Sequence, residues 1–196
     1  MRCKDTVSGM SDPFFFGYGS LVNRRTHAFP EAFPARIRGW RRAWRHSRSH
    51  GRTFLTAIPD PGAEIDGLVA CVPGGDWHAL DQREAGYQRH PVPGPELVHS
   101  AARNLAAQIY AIPADNFADP VHPIRLSYVD VVIQGYLNEF GEAGALEFID
   151  TTDSWDTPIL DDRAHPAYAR HQRLTTSERG FVDDQLHRLA ANVIRG

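Results

Sequence analysis

Two stretches of this chain hold residue types that could do chemistry together. The first, Phe14-Phe15-Phe16-Gly17-Tyr18-Gly19-Ser20-Leu21, is an apolar run that breaks into a glycine-studded turn. A strand ending this way leaves successive backbone N–H groups without ladder partners, and glycine lets several of them turn toward one point. Such a loop binds a carboxylate or a developing oxyanion; the plainer alternative is a Gly-x-Gly turn that only joins two elements. The second stretch, Leu80-Asp81-Gln82-Arg83-Glu84-Ala85-Gly86-Tyr87, places a carboxylate beside another glycine-tyrosine pair. Glu84 becomes a useful proton carrier if burial lifts its pKa toward neutrality. Flanked by Arg83 and Arg89, it could equally sit in a surface ion pair.

The elements that must position these residues follow from hydrophobic patterning. Phe14 to Tyr18 is short, apolar and aromatic, and reads as a buried strand. Asn23 to His27 resembles the polar start of a helix or a turn. Ala35 to Ile58 sets Ile37, Trp40, Trp44, Phe54, Leu55 and Ile58 among polar residues, with interruptions at Gly39 and Gly51, which predicts two antiparallel strands. Pro59-Asp60-Pro61-Gly62 is turn chemistry, and Ile65 to Val72 is a central strand closed by Pro73-Gly74-Gly75. Asp76 is placed to cap a short helix running through Trp77 and Leu80 toward Glu84, where Gly86 stops it. Pro91, Pro93 and Pro95 predict an extended connector, and Ala106 to Ile112 a further strand.

Val129, Val132, Ile133, Tyr136, Leu137 and Phe140 recur at helical spacing, with Ser127 to cap the start and Gly141 to end the helix. Thr175 and Glu178 stand in capping-box spacing ahead of an apolar stripe of Val182, Leu186, Leu189 and Val193. Gly144 to Arg173 lacks periodicity and reads as an irregular surface segment wrapped around the core. Together these elements predict an α+β domain with an antiparallel sheet or barrel and peripheral helices. Its organisation is a loose leader over 1–12, a domain over 13–140 and a C-terminal extension over 141–196 packed on that domain.

Composition narrows the function classes. With 42% hydrophobic and 23% charged residues the chain is of globular type, and no apolar run is long enough to cross a bilayer, so no membrane partner is expected. The net charge of -3 argues against a surface built throughout for nucleic acid. Cys3 and Cys71 are too few for a disulfide framework, Cys3 falls in a segment expected to be mobile, and the leader lacks an export signal. These features predict a cytoplasmic protein.

Tyr18-Gly19-Ser20-Leu21 behind an aromatic strand, with Leu80-Asp81-x-Arg83-Glu84-x-Gly86-Tyr87 downstream, resembles the γ-glutamylcyclotransferase superfamily, including its ChaC and AIG2-like branches. Ser127-Tyr128 ahead of the Val129 to Phe140 helix is similar to that family's late helix. The resemblance runs roughly from Phe14 to Phe140, and it implies a mostly antiparallel small β-barrel of about five or six strands with peripheral helices. It also implies a substrate-binding loop of Tyr18, Gly19, Ser20 and Leu21, with Glu84 as catalytic acid/base. Tyr18, Tyr87 and Tyr128 are candidates for lining the pocket, or core tyrosines with bonded hydroxyls. The implied reaction converts a small γ-glutamyl amide or peptide into 5-oxoproline and a free amine, with no cofactor and no metal. The chain departs from the mammalian-type enzymes in lacking an asparagine after the loop serine, which leans toward the ChaC or a bacterial branch. The resemblance does not place the tail from Gly141 to Gly196 in the family core, and that tail could close the pocket and alter the substrate.

Other constellations point elsewhere. Among the 10 histidines, the pairs His46/His50 and His165/His171 lack partnering cysteines or an embedded glutamate, so no metal site is expected. Ser20 is not set in an esterase elbow, because Val22 stands where the last glycine belongs. Arg36, Arg38, Arg41, Arg42, Arg45, Arg48 and Arg52, interleaved with Trp40 and Trp44, read as a single-stranded nucleic-acid surface, a solvated sheet face or a complement to an anionic peptide. The net charge favours the last two. A non-catalytic binding module of the same fold is the rival reading, and burial of Glu84 beside the Gly19 turn is what separates it from an enzyme.

Overall fold

The structure of the protein is a computed structural model that describes residues 3, 11–48, 52–118 and 122–195. In chain order its strands and α-helices are β1 (Phe14–Gly17), β2 (Phe33–Ser47), β3 (Arg52–Cys71), α1 (His78–Arg83), β4 (Gln88–Val92), β5 (Leu97–His99), β6 (Ala107–Ala111), β7 (Phe117–Ala118), β8 (Ile124–Arg125), α2 (Leu126–Asp150), β9 (Thr152–Asp153), β10 (Ile159–Asp161), α3 (Thr176–Arg188) and β11 (Val193–Arg195).

Strand β1 is apolar without alternation because both of its faces are covered. Phe14 and Phe16 enter the main core with Trp44, Leu55, Ile65 and Tyr136. Phe15 points the other way, into a smaller cluster with Leu21, Val72, Leu80 and Tyr110. That second cluster carries the anchor of α1, since Leu80 is buried in it. A Cβ at Gly67 of β3 would collide with the Gly17 carbonyl and the Phe16 ring, so only glycine lets β3 cross β1 this closely.

The main sheet runs β4-β6-β1-β3-β2-β5, with β7 and β9 added along β2, and a second sheet runs β11-β10-β8. The expectation of a mostly antiparallel barrel is corrected: β1/β6 and β2/β9 pair in parallel within the main sheet, which is mixed and curls as a half-barrel, and β8/β10 and β10/β11 make the second sheet parallel. Residue periodicity identifies strands but not their partners. The return path through α1 and β4 is what brings β6 beside β1 in the same direction.

Other boundaries also move. Pro59 to Gly62 does not end a strand. The β2/β3 register steps from Arg38↔Glu64 to Trp40↔Pro59, so the turn residues form an excursion within β3, where the Gly62 N–H donates to Asp60 Oδ1 at 3.0 Å. Pro91 lies inside β4, which a proline tolerates because β4 is the edge of the sheet. The cap of α2 comes from outside the helix: Asp162 accepts from the Ser127 N–H at 2.8 Å and from its hydroxyl at 2.7 Å. Gly141 breaks α2 with φ 69, and helical structure resumes to Asp150. Beyond it, Phe148, Ile149, Trp155 and Ile159 are all core residues, so the 144–173 stretch supplies interior and not only surface. The Thr175/Glu178 capping box is formed. Val182 and Leu186 are buried, whereas Val193 lies in β11 and is 42% exposed.

Cys3, expected in a mobile leader, is buried and disulfide-bonded to Cys71 of β3 across a Cα separation of 6.4 Å. The rest of the leader up to residue 10, and Gly51, lie outside the described residues. No helix among the described residues is long and apolar enough to cross a membrane.

Candidate active site

The turn after β1 is held from every side. Gly19 leaves the strand at φ -116 and ψ -131, and Ser20–Val22 forms one tight 3-10 turn closed by Val22 N–H to Gly19 O at 2.9 Å. The Tyr18 hydroxyl donates to Tyr110 O at 2.6 Å and accepts from the Ala57 N–H at 3.0 Å, so this side chain is spent on sheet backbone. Behind it the Tyr136 hydroxyl accepts from Arg42 and lies 2.9 Å from the Tyr18 carbonyl. Asn23 ties the far end of the turn to α2 through Val131 O and Gln134 Oε1, both at 3.0 Å. His27 Nδ1 accepts from the Phe29 N–H, which leaves Nε2–H to donate to the Leu21 carbonyl at 3.0 Å. Burial holds this ring neutral, with its pKa down at about 4.

Helix α1 delivers the carboxylate. Leu80 docks it under β1, and Asp81 accepts from the Tyr110 hydroxyl at 2.6 Å. Glu84 follows as the residue that ends the helix, and Gly86 at φ 97 turns the chain away. Arg83 is the residue that sequence reading undervalued. Far from forming an exposed pair, its side chain is 6% exposed and bridges turn to carboxylate. It donates to Thr26 O at 2.9 Å, to Ser20 Oγ at 3.1 Å and toward Glu84 Oε1 at 3.2 Å. The Glu84 side chain is 16% exposed. Burial raises its pKa, opposed by the nearby Arg83 and Arg170 guanidinium groups.

Glu84, Gly19, Ser20, Leu21, Tyr87 and Tyr128 all line one small cavity of about 30 Å³, together with Tyr18. Ser20, Glu84, Tyr87 and Tyr128 also line a wider cleft of about 400 Å³. The structure thus brings every residue of the predicted site to one place. Tyr87 donates to Leu55 O at 2.8 Å. Tyr128 lies against the Ser20 N–H, and a Cβ at Gly19 would come within 2.6 Å of its hydroxyl, which explains the glycine. Burial raises the pKa of both tyrosines well above the ordinary phenol range, so they act as neutral hydrogen-bonding walls.

The cleft also takes residues from the C-terminal segment that no periodicity marked. Tyr168 donates to Ser20 Oγ at 2.8 Å and sits edge-on to Tyr128 at 5.0 Å, and Arg170 lines the cleft. In the arginine-rich hairpin Arg36, Arg38 and Arg41 are answered by acids, and Arg42 and Arg45 by hydroxyls and carbonyls. Arg36 pairs with Asp66 at 2.6 Å and Glu64 at 2.8 Å, Arg41 pairs with Asp153, and Arg42 is buried on Thr152, Tyr136 and Asp66 O. Trp40 and Trp44 are core residues, not exposed stacking platforms. Arg52, by contrast, reaches the cleft. Among the described residues, the metal-ligating types that converge within 4.8 Å are Cys3, Asp12 and Cys71. The two sulfurs are bonded to each other, and none of the three lines the cleft.

The same architecture occurs in solved structures. A protein named gamma-glutamyl cyclotransferase superposes with a TM-score of 0.57 at 15% identity, covering 88% of this chain and 99% of that one. An uncharacterized protein from Homo sapiens, loc79017, gives 0.56 at 16% identity over 88% and 98% of the two chains. YkqA from Bacillus subtilis gives 0.56 at 16% identity over 69% and 52%. No curated protein sequence matches the chain. At these identities the neighbours speak to the fold. The family comes from the sequence model for ChaC-like protein, which matches residues 14–124. That match begins at β1, contains the Tyr18–Leu21 turn and Glu84, and spans more than half of the 196 residues, so the chain belongs to the ChaC-like protein family.

Proposed function

We propose that this protein cyclises a γ-glutamyl amide or peptide to 5-oxoproline and releases the amine, with Glu84 as the proton carrier and the Tyr18–Leu21 turn holding the glutamyl group. The observation that carries this reading is a desolvated carboxylate facing the same small cavity as the Gly19 turn. The substrate's own α-amine attacks its γ-carbonyl, so the protein has to fold the substrate, move protons and stabilise an oxyanion. Glu84, ionised, takes a proton from the α-ammonium. The free amine adds to the γ-carbonyl, and the amides around Gly19 and Leu21 receive the developing oxyanion. Ser20 Oγ already accepts from Arg83 and Tyr168, so its own hydrogen remains to be donated. Collapse of the tetrahedral species breaks the γ-amide bond as Glu84 returns the proton to the leaving nitrogen, and the second proton of the ring nitrogen then passes through Glu84 to the departing amine, which leaves as an ammonium. Arg83 fixes the carboxylate without neutralising it by proton transfer.

Glu84→Gln keeps shape and removes the proton carrier. Its release of 5-oxoproline from a panel of γ-glutamyl compounds, glutathione included, should fall about 10²- to 10⁴-fold. Undiminished turnover in a folded variant would refute the assignment.

A further inference from the structure

The small cavity is sized for the reacting end of a substrate, and the wider cleft lies beyond it. Among the described residues, the carboxylate lining that cleft is Glu84 alone, against four arginines: Arg52, Arg83, Arg125 and Arg170. Arg83 is consumed by the turn and by Glu84 itself. Arg125 spends one nitrogen on the Ala167 carbonyl at 2.9 Å. Arg52 and Arg170 make no ion pair among the described residues, whereas Arg24, Arg36, Arg103, Arg163 and Arg188 each sit on an acid elsewhere in the chain. Other arginines without an ion pair among the described residues, such as Arg25, Arg45, Arg173 and Arg195, stand away from this cleft, whereas Arg52, Arg125 and Arg170 line it together. These three come from separate parts of the sequence, with Arg52 opening β3, Arg125 closing β8 and Arg170 following Tyr168. The Tyr168 hydroxyl bond to Ser20 keeps Arg170 on the same side as the reacting end.

We infer that Arg52, Arg125 and Arg170 form a subsite for a leaving group carrying two carboxylates, so that a γ-glutamyl unit joined to an acidic amino acid is taken in preference to one joined to a neutral residue. The inference rests on the cyclisation reading for the chemistry but not for the binding. One carboxylate would satisfy the bidentate fork of a single guanidinium; three forks with one carboxylate opposite them favour a second.

The test compares γ-glutamyl-glutamate with γ-glutamyl-glutamine, which differ by one oxygen against one NH₂. Wild-type kcat/KM should favour the diacid about 5- to 20-fold, the modest size reflecting solvent-exposed guanidinium groups. Arg170→Met and Arg52→Met should each bring the ratio toward unity, and the ratio cancels any effect of Arg170 on Glu84 because both substrates react through it. Calorimetric binding of both dipeptides to Glu84→Gln runs in parallel. Diacid-selective binding without turnover in the wild type would refute cyclisation and leave the subsite standing. Equal turnover and equal binding of the two would overturn the subsite and leave cyclisation standing. Failure to bind or convert either would overturn both.

Discussion

Replacing Gly135 by alanine sets two physical effects of opposite sign against each other. Gly135 lies in α2, facing the end of the Tyr18–Leu21 turn. An ideal Cβ there would stand 2.7 Å from the Asn23 nitrogen and 3.0 Å from its Cα, both backbone atoms of the neighbouring turn. Ordinary contact begins near 3.4 Å, so turn and helix must part by about 0.7 Å. Helix propensity alone favours alanine by about 1 kcal/mol, while overpacking at a well-filled contact costs about 1–3 kcal/mol. The net stability change is expected to be a loss of about 0–2 kcal/mol.

Activity should respond more strongly, because the Asn23 links to Val131 and Gln134 position Gly19 to Leu21. A displacement approaching 1 Å can lower turnover about 10²-fold. The assay pairs 5-oxoproline release with urea denaturation, and Gly180→Ala in α3 is the control. Nothing lies within 4 Å of a Cβ at Gly180, so that change should stabilise by about 0.5–1 kcal/mol without touching turnover. If Gly135→Ala stabilised as Gly180→Ala does, with turnover intact, the claim that α2 positions the turn by close approach would be wrong.

Three further outcomes can be measured. Because burial raises the Glu84 pKa and Arg83 and Arg170 lower it, the acid limb of kcat/KM should lie above pH 4.5, and Arg170→Met should move it to higher pH; a limb that stays in place or moves down counts against Glu84 as the titrating base. Arg83→Lys keeps the charge but cannot span Thr26, Ser20 and Glu84 at once, so turnover should drop at least about tenfold with about 1–3 kcal/mol of stability; activity matching wild type would contradict the bridging role. His27 is neutral in the fold with a pKa of about 4 against an ordinary 6.5. The unfolded chain therefore takes up this proton first as pH falls, so the His27 contribution is complete above pH 6.5 and is lost between 6.5 and 4, by at most about 3 kcal/mol. His27→Gln should flatten that part of the pH–stability curve.

The parts of the candidate site that are local in sequence could be read there. An apolar run buried on both faces, a glycine-studded turn at its end, and a short helix ending at Glu84 each leave a mark in neighbouring residues. The Thr175/Glu178 cap was readable for the same reason. What the sequence concealed depends on partners distant in the chain. Arg83 looked like a surface charge because nothing local shows that Ser20 and Thr26 stand over it. Tyr18 lines the small cavity, but nothing local shows that its hydroxyl is committed to Ala57 and Tyr110 on two other strands. The parallel pairing of β1 with β6 escaped because strand direction is set by the path between strands. Asp162 replaced Ser127 as the effective cap of α2 because a side chain from the tail can reach a helix start that its own residues leave open.

Asp162 has a wider consequence. The same carboxylate that receives the first turn of α2 also accepts from the Ala167 N–H at 2.9 Å, and the Tyr168 N–H lies 3.3 Å from the Ser127 hydroxyl. One side chain therefore clasps two strips of chain, one bearing Tyr128 and the other Tyr168 and Arg170. A truncation after Asp150 would do more than shorten the molecule. It would uncap the helix that carries one wall of the cleft while deleting the other, so the tail shapes the cleft as much as the turn it reaches through Tyr168.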